Sequence, residues 1–120
     1  FDKINENFIR CSFFELCSRY LSSCYTFAIE QNNSAGRSDF EMTGIPGTDY
    51  YKDDRLAEFK YFKAKEAERM LALSDPRPED VAQVRAYAKD TKQKFPVYNV
   101  RSYIVYICAN KGWKCWEVTE

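Results

Sequence analysis

The segment Asn99–Val118, NVRSYIVYICANKGWKCWEV, decides the fold, because it can be read in two ways. Val97, Val100, Ile104, Ile107 and Cys108 recur at the three-to-four spacing of a helical face, and Asn99 stands where a helix N-cap belongs. That predicts a helix over 99–110, ended by Gly112 in the left-handed conformation with Trp113 packing back. The same residues are rich in Val, Ile and Tyr, which favour strands. The alternative is a hairpin of strands 103–109 and 113–119 turning at Asn110-Lys111-Gly112. The N-cap tips the reading to helix.

Working outward, three more helices complete a small bundle. No Gly or Pro occurs from Phe1 to Ala35. Ile9, Phe13, Leu16, Cys17, Tyr20, Cys24 and Phe27 keep one face through 4–31. A second helix is expected over 50–73, capped by Thr48 or Asp49, with Leu56, Phe59, Phe62, Ala67, Met70 and Leu73 inward. A third runs over 78–94, with Pro78, Glu79 and Asp80 in its first turn and Val81, Val84, Ala88 and Phe95 inward. Between the first two lies a long loop, 32–49, carrying Gly44-Ile45-Pro46-Gly47 turn chemistry. The expected fold class is therefore mainly α: one domain, 1–120, four-helix-bundle-like, with a long loop and a C-terminal hairpin as the alternative.

Five cysteines occupy the two ends of the chain: Cys11, Cys17, Cys24, Cys108 and Cys115. Cys17 and Cys24 are seven apart, as are Cys108 and Cys115, which is two helical turns. Facing antiparallel helices would pair Cys17 with Cys115 and Cys24 with Cys108, bracing the bundle and leaving Cys11 over. No C-x-x-C knuckle is present, so no zinc site is expected. Disulfides, together with a start at Phe1 rather than Met, point to a periplasmic or secreted protein whose leader has been removed.

Composition removes several chemistries. The 120 residues contain no histidine, and 18 Lys+Arg balance 18 Asp+Glu, so imidazole catalysis is absent and no bulk field draws the chain to nucleic acid. Tyr103–Ala109 is the longest apolar run, too short to span a membrane. No phosphate loop or dinucleotide fingerprint appears, and neither a metal nor another cofactor is expected. What stands out is 17% aromatic residues, nine of them tyrosines whose hydroxyls need partners. Phe40, Met42 and Ile45 on the loop, with Tyr50, Tyr51 and Tyr61 beside it, form the candidate surface for another protein. The function that follows is a non-enzymatic binding module, such as an inhibitor, an immunity-type protein or an envelope-assembly subunit. A homodimer through the first helix or Cys11 is a variant of that reading. The rivals are a small hydrolase using Asp39, Glu41, Asp49, Asp53 and Asp54, and a cytosolic adaptor with free thiols.

Overall fold

The computed structural model describes residues 12, 15–17, 19–32 and 37–119. In chain order the elements are β1 (Tyr25–Asn32), β2 (Arg37–Gly44), β3 (Asp53–Phe62), α1 (Ala64–Leu71), α2 (Pro78–Lys94), β4 (Asn99–Cys108) and β5 (Gly112–Val118). The strands form one mixed sheet in the order β1-β2-β3-β4-β5. β1–β2, β2–β3 and β4–β5 are antiparallel, whereas β3–β4 is parallel. A parallel pair needs a crossover, and α1 and α2 supply it.

The helical bundle is corrected to this sheet, and the deciding segment is the hairpin. Buried positions alternate along β4 at Ser102, Ile104, Tyr106 and Cys108, the period of a strand. The turn is built from Ala109 at φ 48° through to Gly112 at φ 153°. The expected helix over 50–73 divides into β3 and the short α1. β3 is covered on both faces, by the two helices on one and by the N-terminal helical residues on the other, so it buries Leu56 and Phe62 on one and Phe59 on the other. Apolar groups on both faces imitate helical spacing when read along the chain. The first helix also ends sooner than expected. Residues 15–17 and 19–21 are helical, but Tyr25–Asn32 is strand. The expected stretch before residue 12 lies outside the described residues.

Each face of the sheet has its own core. On the helix face, Phe62, Ile104, Tyr106 and Cys108 pack with Ala67 and Met70 of α1 and Val84 of α2. On the other face, Phe40 and Phe59 pack with Cys17 from the N-terminal helical residues. Fully burying one such aromatic contributes about 2–3 kcal/mol, and that demand drew Phe40 out of the expected loop into β2.

The disulfide staple is corrected as well. Cys17, Cys24, Cys108 and Cys115 are free thiols. Cys108 belongs to the helix-face core, while Cys115, opposite Val105, lies on the other side of the sheet. The matching intervals of seven were a helical argument, and in a strand an interval of seven reverses the face. Cys11 lies outside the described residues.

Candidate active site

Alternation on β3 places Asp54, Leu56, Glu58, Lys60 and Phe62 on the helix face. Glu58 is 1% exposed, and its Oε1 lies 3.7 Å from Lys60 Nζ. Carboxylates are seldom buried so completely unless paired. β2 brings Asp39 directly opposite Glu58, and β4 brings Tyr106 directly opposite Lys60. Directly opposed positions share a sheet face, so Asp39, Glu58, Lys60 and Tyr106 hold neighbouring places across three strands.

α2 closes the helix-face side. The Tyr106 hydroxyl donates to Asp80 Oδ2 and accepts from the Arg77 backbone N–H at 3.0 Å. Arg77 Nε donates to the same Asp80 oxygen at 2.9 Å, and its guanidinium carbon stands 5.0 Å from the Phe62 ring centroid. Burial, then the Asp80 carboxylate, pushes Tyr106 up to about 12, so the phenol stays a donor. This network ties the start of α2 to the strand beside Lys60. The Gln83 amide oxygen on α2 is buried without a hydrogen-bond partner among the described residues.

A second acidic pair sits on the same face toward the start of β3. Asp54 is 1% exposed and hydrogen-bonds Glu41 of β2. Burial first, then Glu41 and Asp53, pushes Asp54 up to about 8, so it donates to Glu41 at neutral pH. The acids expected on a loop and a helix start are thus largely strand residues. Asp39 and Glu41 lie in β2, Asp53 and Asp54 in β3, and only Asp49 is in a turn.

The sequence-derived partner surface disperses. Phe40 is core at 1% exposure, and Met42, Ile45 and Tyr61 are half-buried. Tyr50 and Tyr51 remain exposed at 46% and 43%. Phe40, Met42 and Tyr50 line one apolar cavity of about 710 Å³ with Leu21, Phe59 and Trp113. That cavity opens on the face opposite Glu58 and Lys60. Sequence reasoning missed Glu58, Lys60, Tyr106 and Asp80, because 56–62 was read as one face of a helix. The available signal was an acid and a lysine two apart inside LAEFKYF, a strand-like run.

A family model described as the PD-(D/E)XK nuclease superfamily matches residues 4–117. No curated protein matches the chain. The description itself contains an acid, any residue and a lysine, and two stretches qualify: Glu58-Phe59-Lys60 and Asp90-Thr91-Lys92. Asp90 and Lys92 lie in α2, where residues two apart point to nearly opposite sides. On β3, by contrast, Glu58 and Lys60 share a face and form an ion pair. The chain departs from the description at its first element, since it has no Pro-Asp dipeptide. Ser38 precedes Asp39, the acid opposite Glu58. The match overturns the expectation of a non-enzymatic inhibitor or immunity-type module and points to a nuclease-type enzyme.

Proposed function

Because the chain belongs to the PD-(D/E)XK nuclease superfamily, we propose that it hydrolyses phosphodiester bonds of nucleic acid at Asp39, Glu58 and Lys60. The observation that carries this reading is the buried Glu58–Lys60 pair with Asp39 across the strand. Two carboxylates repel a phosphodiester unless a cation stands between them. Hard carboxylate oxygens suit Mg²⁺ or Mn²⁺. Among the described residues no group of three or more acids or cysteines could hold a metal ion. A divalent ion would be held by Glu58, beside the register position of residue 39, with water and substrate oxygens completing its shell, as Mg²⁺ commonly binds. When bound, it would supply Lewis acidity and a more acidic water.

The chain's own groups do the remaining work. Lys60 is an ammonium held at the site by Glu58, placed to offset the negative charge that builds on the phosphoryl oxygens during attack. Tyr106, opposite Lys60, is locked by Asp80 and Arg77, which fixes the floor under the lysine. This reading replaces the earlier expectation of no nucleic-acid partner. A neutral chain has no long-range attraction for a polyanion, so recognition would rest on local groups and the ion. Incubation of the chain with single-stranded and duplex DNA and Mg²⁺ or Mn²⁺ should give strand scission that EDTA abolishes. Lys60→Ala should lower the rate about 100- to 1,000-fold, and Asp39→Asn or Glu58→Gln should remove it, with circular dichroism unchanged. Cleavage undiminished in Lys60→Ala and Glu58→Gln would refute the assignment.

A further inference from the structure

We infer that the aromatic cluster where β3 and β4 begin is a stacking platform for single-stranded nucleic acid on its way to the Glu58–Lys60 site. This inference rests on the nuclease reading for its substrate. The turns 46–52 and 95–98 meet there, joined by the Asn99 N–H donating to the Lys52 carbonyl at 2.6 Å. Tyr51 and Tyr98 meet edge to face, with ring centroids 6.0 Å apart at 86°. Tyr98 and Phe95 meet in the same way at 5.9 Å and 85°. Phe95 is 50% exposed and Tyr51 43%. Phe95 was expected to point inward from α2, so its exposure is a reversal of the sequence reading.

Packing does not account for this cluster. Neither Phe95 nor Tyr51 belongs to either core, and both rings stand about half in water. The backbone carries strain at the same spot, because Lys52 sits at φ 74°, where a glycine would be relaxed. That conformation sets its ammonium 5.8 Å from the Tyr51 ring centroid. Lys94, exposed and bridged to Asp90 at 3.2 Å, precedes Phe95 at the end of α2. Rings fringed by lysines offer what an unpaired strand needs: flat faces for its bases and cations for its backbone. A duplex hides its base faces, so the fit is to single strands.

The platform lies at the start of the strand that carries the site. β3 leaves it at Asp53 and reaches Glu58 five residues later, roughly 17 Å along the strand. α2 packs on the Glu58 face, and its C-terminal end delivers Phe95. With no net charge on the chain, stacking carries more of the affinity, and salt dependence should be shallow.

The test uses a labelled oligothymidylate long enough to cover both places and a thymidine dinucleotide that reaches only the site. Binding is read by fluorescence anisotropy in EDTA, where nothing is cleaved. Tyr51→Ala and Phe95→Ala should each weaken oligothymidylate binding about five- to hundredfold, with melting temperature as the control. Tyr51→Phe, which keeps the ring, should bind like the parent. With Mg²⁺, both alanine variants should raise KM for the oligomer and leave dinucleotide cleavage alone. If Tyr51→Ala does not fold, Phe95→Ala decides alone, since its half-exposed ring lies outside both cores. Unchanged binding in the folded variants overturns the platform and leaves the cluster to a protein partner. Equal loss in Tyr51→Phe also overturns stacking. Ring-dependent binding with no cleavage by the parent supports the platform and sinks the catalytic reading instead.

Discussion

Asp54 is an acid that the fold keeps neutral. Burial and the nearby Glu41 and Asp53 push it up to about 8, against about 3.9 in an unfolded chain. Between those values the folded protein holds a proton that the unfolded chain has released. Its contribution to stability is therefore complete below about pH 4, declines as pH rises, and is gone above about pH 8. The urea midpoint should fall from pH 5 to pH 8, and Asp54→Asn, neutral throughout, should show a smaller fall. The same fall in both proteins would assign the effect to other groups. Tyr106 presents the opposite bookkeeping, a polar group that is buried and satisfied. The abundance of tyrosine suggested hydroxyls reaching for solvent, yet Tyr106 is 0% exposed and finds Asp80 and Arg77 inside the fold. Removing that hydroxyl in Tyr106→Phe should cost about 1–3 kcal/mol, measured by urea denaturation. No loss would show that the Arg77–Asp80 pair closes the network unaided.

At the scale of elements, the join between β2 and the 46–52 turn is the tightest of the described glycine positions. A Cβ on Gly44 would stand 1.6 Å from the Tyr50 carbonyl oxygen, whereas one on Gly47 would meet nothing within 4 Å. Gly44→Ala should therefore lose the folded state or most of its stability. Gly47→Ala pays only for its φ of 91°, about 1–2 kcal/mol. Equal melting temperatures for the two variants would contradict this packing. What the sequence revealed follows the same local logic. Pro78, Glu79 and Asp80 announced α2, whose Pro78–Lys94 span is where a helix was expected. Turn residues 44–47 marked the end of β2. β3 stayed hidden because a strand covered on both sides has no alternation to show, and Asn99 looked like a cap because local chemistry cannot see its parallel neighbour Asp53, 46 residues away. The candidate site was hidden for the same reason: Glu58 and Lys60 become companions only once 53–62 is extended, and Asp39 joins them only through register.

Among the described residues the fold stands on sheet and helix packing without covalent braces. Mass before and after reduction should be the same for the four described thiols, and the denaturation midpoint should not respond to dithiothreitol. Cys115, exposed, should alkylate in the native state well before buried Cys108. A dithiothreitol-sensitive midpoint would reinstate a bridge. The parallel pairing of β3 with β4 has a further meaning, in time. The two strands that hold Asp39, Glu58 and Lys60 leave the ribosome before β4, and the partner that covers β3 along ten register pairs arrives only when residues 63–108 have followed. At about 5–20 residues per second that delay is roughly 2–9 s. During it, β3 offers an open edge with apolar groups on both faces, an adhesive surface. The nascent chain is therefore most in need of a chaperone during this window, and a chain stopped at Tyr98 should aggregate where the complete one stays in solution.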